Sequence, residues 1–226
     1  MAAKRGALVI CEGLDRIGKT TQSKLLHDYL SQECGLLCER LAFPNRSTQI
    51  GLLIDNYLQR KIELNDHTIH LLFSANRWEC IDTMRTKLLQ GYTLIVDRYA
   101  YSGVAFTQAK GLDKNWCQSC DIGLLKPDLV IYFHRNKQSN LLSYTGDERY
   151  EIKSFQDKVE FCFEQLRLSS SSSSSSSEQW KDINVLDKDN INMRDKESIQ
   201  NEIRSYVKDC LDGIKSNHID ELWKDN

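Results

Sequence analysis

Eight consecutive residues, Gly13-Leu14-Asp15-Arg16-Ile17-Gly18-Lys19-Thr20, match the pattern G-x-x-x-x-G-K-[ST]. Glycines at these places let successive backbone N–H groups turn inward on phosphate oxygens, and the start of a following helix adds its positive dipole end. Lys19 is placed to reach the β and γ phosphates and Thr20 to hold Mg²⁺. The loop therefore points to a nucleoside triphosphate. Arg16 puts a guanidinium inside it, suited to charge that develops on a transferring phosphoryl group. Asp15 puts a carboxylate beside the phosphates, where it needs a substrate hydroxyl or a cation opposite it. Ile17 is a bulky β-branched residue in a tight turn, and its chemistry offers no reason for its presence. Asp97 and Arg98 form a second constellation at the end of the apolar run Thr93 to Val96. An acid at the carboxyl end of a strand beside a phosphate loop is where a second metal-side ligand belongs, and ligands of open parallel sheets bind at those strand ends.

These side chains need a scaffold, and the patterning supplies one. Strand-like and helix-like stretches alternate, which is the signature of a parallel sheet with crossover helices. Ala7 to Cys11 is a continuous apolar run of the kind buried on both faces. A helix is expected from Lys19 to about Gln32, a strand from Leu36 to Ala42, and a helix from Ser47 to about Lys61. Asn65 or Asp66 offers an N-cap for one long helix running to Gln90, stopped by Gly91. Thr93 to Val96, Leu129 to Phe133 and Ile183 to Leu186 read as the third to fifth strands. Helices are expected from about Ser154 to Arg167 and from about Lys196 to Leu211. The serine tract Ser169 to Ser177 has no apolar surface to offset its ordering entropy and reads as a mobile loop.

The 226 residues carry 30 Lys and Arg against 32 Asp and Glu, a net charge of -2, and 40% are hydrophobic. This balance suits one soluble domain and excludes the basic footprint of a dedicated nucleic-acid binder. The apolar runs fall far short of the roughly 18 residues of a membrane span. Eight cysteines without a leader pattern read as free thiols in a reducing compartment, cytoplasmic or also nuclear. Cys117-x-x-Cys120 and the pair Cys34 and Cys38 lack the partner set of a zinc site and read as packing or surface thiols.

Phe43-Pro44-Asn45-Arg46-Ser47-Thr48, Leu71-Leu72-Phe73-Ser74-Ala75-Asn76-Arg77-Trp78-Glu79 and Asp97-Arg98-Tyr99-Ala100-Tyr101-Ser102-Gly103-Val104-Ala105-Phe106 closely resemble the thymidylate kinases, particularly the eukaryotic type. Lys126-Pro127-Asp128-Leu129, Glu148-Arg149-Tyr150-Glu151 and Glu221-Leu222-Trp223-Lys224 echo the same family. The resemblance is dense from Arg5 to Glu151. It implies an α/β three-layer P-loop fold, a five-stranded parallel sheet flanked by helices, in a single domain spanning 1–226 with a small lid at about 136–150.

The resemblance further implies transfer of the γ-phosphoryl group of ATP to dTMP, with Mg²⁺, in a homodimer. Lys19, Arg16, Asp97 and Arg98 take the catalytic positions. Gly13, Asp15, Arg16, Ile17, Gly18, Lys19, Thr20, Thr21 and Arg149 fall on the ATP side, with Arg149 in the lid and Thr20 and Asp97 on the metal. On the dTMP side, Phe73 resembles the stacking platform for thymine and Arg77 its hydrogen-bond donor. Arg46 and Arg98 resemble the clamp on the acceptor monophosphate, and Asp15 the partner of the 3'-hydroxyl. Phe43, Gly103, Phe106 and Tyr150 match pocket positions, the last two crowding out a ribose 2'-hydroxyl. Arg16 places the chain with the type whose key arginine lies in the phosphate loop. Ile17 and Gln108 stand where the family has small residues, and Ser139 to Tyr144 lacks the family's basic residues.

Other readings follow from the same residues, a deoxynucleoside kinase being disfavoured because two arginines poised for a monophosphate would lack their ligand. One is a monophosphate kinase of relaxed specificity, accepting dUMP or dGMP. Another is a catalytically weakened homologue acting as an interaction protein. A GTPase switch is disfavoured, because Asn136-Lys137-Gln138 is followed by Ser139 and not by the acid of N-K-x-D.

Overall fold

The computed structural model describes residues 4–135, 146–171, 179–187, 189 and 192–224. Five parallel strands form one sheet: β1 (Leu8–Gly13), β2 (Cys38–Ala42), β3 (Thr93–Asp97), β4 (Leu129–His134) and β5 (Trp180–Asn184), in the order β2-β3-β1-β4-β5. Helices flank it: α1 (Lys19–Asp28), α2 (Gln49–Leu58), α3 (Asp66–Trp78), α4 (Ile81–Leu89), α5 (Ala100–Gln108), α6 (Lys114–Ser119), α7 (Lys153–Ser171) and α8 (Lys196–Gly213). A π-helical turn, Tyr29–Glu33, extends α1.

The apolar runs of β1 and β3 lie buried along their whole length, as a strand covered on both faces requires. Cys11 of β1 is in register with Asp97 of β3, so the phosphate loop and the Asp97-Arg98 pair leave the sheet side by side. Two of the resembling motifs are structural. Asp128 accepts from Arg5 through both oxygens, at 2.7 and 2.8 Å, and from the Leu8 N–H at 2.8 Å, pinning the start of β1. The terminal segment bridges Leu125 through Glu221, and the Trp223 ring stands edge-on to Tyr101 at 5.6 Å.

Four expectations are corrected. The long helix from Asp66 to Gln90 is two helices, capped at Asn65, whose side chain accepts from the Thr68 N–H. The break falls at Glu79-Cys80, where the Cys80 N–H bonds to Arg77 O at 3.1 Å, a tighter turn than the α-helix makes. There Asn76 and Glu79 are drawn into a network with Asn45 and Thr48. The fifth strand lies earlier than expected: Leu186 makes an isolated bridge to Met193 instead. Ser169 to Ser171 are not loop but the end of α7; the rest of the tract, 172–177, and residues 136–145 of the expected lid lie outside the described residues. The fourth correction concerns Ile17, whose side chain is 1% exposed in the main core cluster with Leu14 and Leu26. Its place in the turn is explained by packing, since it anchors the phosphate loop from below. Ile17→Ala is expected to cost about 2–5 kcal/mol, measured by denaturant unfolding.

Candidate active site

A cleft of about 290 Å³ opens above the carboxyl ends of β1 and β3. At its lower end the phosphate loop takes left-handed backbone at Gly13 (φ 137°), Arg16 (φ 60°) and Gly18 (φ 94°). A Cβ at Gly13 would lie 2.3 Å from Phe133 O, so only glycine fits there. Gly18 then starts α1 without a side-chain cap, leaving the first N–H groups of the helix for an anion.

Lys19 is buried and its Nζ donates to the Leu14 carbonyl across the loop. Burial, with Arg98 nearby, lowers its pKa to about 8. The unfolded chain therefore holds this proton up to about pH 10.5 while the folded one releases it from about 8. Stability from this group rises with pH across that window, because there the unfolded state binds more protons. Below it the buried ammonium costs on the order of 3 kcal/mol. Lys19→Met is accordingly expected to melt higher than the wild type at pH 7, with the gap closing as pH rises from 8 to 10.5 in a thermal-melt series.

The Thr20 hydroxyl donates to Asp97 Oδ2 at 2.6 Å. Asp97 is 6% exposed, and its Oδ1 is buried with no hydrogen-bond partner among the described residues. A buried carboxylate oxygen beside a hydroxyl, in a cleft built for phosphates, fits a divalent cation that takes its other ligands from the nucleotide and water. No group of three or more His, Cys, Asp or Glu that could hold a metal ion assembles among the described residues, around Cys117-x-x-Cys120 included.

Arg98 is the hinge of the site. Its backbone is left-handed (φ 69°), its guanidinium donates to Gly13 O at 3.1 Å, Ser102 Oγ at 3.0 Å and Asp15, and it lies 5.1 Å from the Phe106 ring centroid. Behind it stands Glu12, fully buried, a residue the sequence motifs passed over. Glu12 accepts from the Tyr99 and Ser102 N–H groups at 2.9 and 3.0 Å and from the Ser102 hydroxyl. It thus caps α5, which has no side-chain cap of its own, and burial raises its carboxyl above the usual range. An acid inside an otherwise apolar strand was the available signal.

The upper end of the cleft is aromatic: Phe43, Phe73, Phe106 and Tyr150 line it with Leu58, Gly103 and Thr107. Phe106 and Tyr150 pack at 5.5 Å, and Tyr150 stacks on Phe155 at 5.2 Å. Arg77, 2% exposed, also faces this space. Gln156, another residue not anticipated, ties the two ends together: its amide donates to Asp15 Oδ2 at 2.6 Å and to Tyr150 O at 2.9 Å.

Two arginines at the mouth are held by acids of the segment 146–151. Arg16 pairs with Asp147 at 3.2 Å and Glu151 at 3.1 Å, and Arg46 with Glu148 at 2.8 Å and with Asp55 of α2 at 2.5 Å. Asp15, Arg16, Lys19, Thr20, Phe43, Arg46, Phe73, Arg77, Asp97, Arg98, Gly103, Phe106 and Tyr150 thus meet in one cleft. Arg149 does not join them. It pairs with Glu63 at 2.7 Å, donates to Tyr57 O and lies 4.1 Å over the Tyr57 ring, so its side chain braces α2 and does not line the cleft. Gly13, Ile17, Gly18 and Thr21 shape or flank the loop without lining the cleft.

The family model described as Thymidylate kinase matches residues 11–180. The thymidylate kinase of Danio rerio is 42% identical over 99% of this chain and 100% of its own length. That of Homo sapiens is 42% identical over the same shares. Among solved structures, the thymidylate kinase of Candida albicans superposes with a TM-score of 0.79 at 33% identity, covering 97% of this chain and 99% of that one.

Proposed function

The chain belongs to the thymidylate kinase family, and from that premise we propose that its cleft seats the acceptor nucleotide at the aromatic end and the ATP phosphates in the loop Gly13–Thr20. Its activity is transfer of the γ-phosphoryl group of ATP to dTMP, giving ADP and dTDP. An oxygen of the acceptor phosphate bonds to the γ-phosphorus while the bond to the β–γ bridging oxygen breaks, and the electron pair leaves with ADP. The protein's share is alignment and charge neutralisation. Lys19 exchanges its Leu14 carbonyl for phosphate oxygens. Arg98 and Arg46 grip the acceptor monophosphate, Asp15 takes the 3'-hydroxyl, and Phe73 stacks on the base. Thr20 and Asp97 would hold Mg²⁺, which when bound neutralises charge on the nucleotide phosphates.

The observation that supports this reading most is the position of Arg98. One guanidinium touches the phosphate-loop backbone at Gly13, the Asp15 carboxylate and the Phe106 ring, and so sits where donor and acceptor phosphates must meet. The test is a coupled ADP-release assay with ATP and Mg²⁺ comparing dTMP, dUMP, dGMP, ribosyl-TMP and thymidine. Turnover should be strongest with dTMP and absent with thymidine. Binding of ATP without turnover of any monophosphate would defeat the proposal.

The same reading extends to a homodimer. Leu71 (50% exposed) and Trp78 (38%) share a face of α3, and Leu52 and Leu53 of neighbouring α2 are each 47% exposed, an apolar surface suited to a second copy. Sizing chromatography is expected to give a dimer, and a lone monomer at micromolar concentration would remove it. No helix among the described residues is long and apolar enough to cross a membrane. All eight cysteines are free, which suits a reducing compartment, cytoplasmic or also nuclear.

A further inference from the structure

Asp121, fully buried in the turn after α6, holds one edge of Arg77. Arg77 Nε donates to Asp121 Oδ1 at 3.2 Å and Nη2 to Oδ2 at 2.5 Å. The Ser74 hydroxyl shares its one proton between the carboxylate at 2.7 Å and Cys120 O at 2.9 Å, and Trp78 Nε1 donates to Cys120 O at 2.8 Å, fixing the turn. Ser74, Arg77 and Trp78 sit on one face of α3, so a single helix face stitches this turn in place. On the other side of the guanidinium lies Gly103 of α5, where an added Cβ would stand 2.8 Å from Nη2 and 3.2 Å from Nη1. The planar fork is therefore clamped between a carboxylate on one edge and a bare backbone on one side, and Nη1 has no hydrogen bond among the described residues.

Breaking such a pair is costly because it strands a buried charge, yet a well-packed apolar pair would serve stability equally. The geometry accounts for the pair by what it leaves over. Arginine has donors and no acceptor, so a guanidinium fixed in this orientation presents the cleft with N–H groups alone. We infer that Asp121 is a positioning residue that locks Arg77 as a donor-only reader of the nucleobase, admitting bases with an oxo group at that edge and rejecting those with an amino group. Thymine, uracil and guanine offer an oxygen there, whereas cytosine and adenine offer an N–H₂ donor. The pair is blind to the ring methyl, which the surrounding aromatic walls must sense. This inference rests on the reading of Arg77 as the residue that meets the base.

The experiment measures kcat and KM for dTMP and dCMP, with ATP saturating, in wild type, Asp121→Asn, Arg77→Lys and the double variant. Asp121→Asn is expected to raise KM for dTMP by about 100-fold with kcat changed far less, the penalty of a misplaced contact. The dTMP over dCMP ratio of kcat/KM should collapse by a similar factor, and KM for ATP should hold. In the Arg77→Lys background the further loss of discrimination from Asp121→Asn should vanish, as expected of a residue that acts through Arg77. A merely structural aspartate would lower activity on both nucleotides alike and add its effect in both backgrounds, which would overturn the inference. If Asp121→Asn fails to fold, Ser74→Ala keeps the ion pair but loosens the carboxylate, and an unchanged dTMP over dCMP ratio there overturns it too. Arg77→Ala separates the two levels. If it leaves that ratio intact, the base-reading role of Arg77 falls and the inference with it; if it abolishes the ratio while Asp121→Asn does not, the inference alone falls.

Discussion

Arg16→Ala is expected to lower kcat by about 10³-fold or more while leaving KM for dTMP nearly unchanged, since arginines that meet charge on a transferring phosphoryl group contribute on the order of 10³–10⁵. Arg16 is exposed at the mouth of the cleft, with left-handed backbone and its side chain paired to Asp147 and Glu151. Its guanidinium lies in the loop that carries Lys19, and the proposed seating of ATP in that loop puts the donor phosphates beside it. A steady-state analysis separates the outcomes: equal loss in kcat and kcat/KM marks an interaction made in the transition state. A raised KM for dTMP with kcat intact would move Arg16 to the acceptor side and end this assignment. Arg16→Lys tests the fork as distinct from the charge, and should recover little.

The second large effect is expected at Asp97. Its Oδ2 is engaged by Thr20, and its Oδ1 is buried without a partner. In Asp97→Asn one of these oxygens becomes an N–H₂ group. If that group replaces Oδ2 it faces a hydroxyl that can turn to accept; if it replaces Oδ1 it aims a donor where a cation is called for. Turnover dependent on Mg²⁺ is expected to fall by about 10²–10³-fold, and titration with Mg²⁺ should not restore it at concentrations that saturate the wild type. Near-normal activity would show that the metal side of the site lies elsewhere. Stability gives an independent readout: relieving a buried, unpaired carboxylate oxygen should not lower the melting temperature.

What could be read from the chain alone followed from periodicity and from local turns. β1, β3 and β4 are built on apolar runs that give way to Glu12, Asp97 and His134 only at their carboxyl ends, and the phosphate loop is a local feature whose chemistry is set by eight consecutive residues. Elements whose form depends on distant partners were harder to see. α5 is buried on nearly every face, so its residues show no helical alternation. α6 has six residues and is announced mainly by Asp113, whose side chain accepts from the Trp116 N–H. The break between α3 and α4 owes its position to Asn45 and Thr48, some thirty residues away along the chain.

The site divides along the same line. Residues that would touch phosphate or base stand in short motifs, and the cleft gathers them. The residues that aim them do not. Glu12, Asp121 and Gln156 act on partners 90, 44 and 141 residues away, through Ser102, Arg77 and Asp15, and no spacing rule links such pairs. Arg149 shows the converse. The family resemblance implies a place on the ATP side, and in this structure its side chain is engaged by the Tyr57 ring and the Glu63 carboxylate.

The ion pairs at the mouth of the cleft change what substrate binding amounts to. Arg16 and Arg46 already face carboxylates, from Asp147, Glu148 and Glu151 along one short segment and from Asp55 of α2. A phosphate seated there as proposed would not meet bare positive charge; it would displace a resident anion. Binding is then a swap of counter-ions at fixed cationic posts, and the coulombic gain is the difference between two similar pairings. Ligand affinity should accordingly depend on ionic strength less steeply than the number of arginines would suggest. With the phosphates seated as proposed, a nucleotide that docks would also evict these acids from their partners, so that occupancy of the cleft would be felt by the segment that carries Asp147, Glu148 and Glu151.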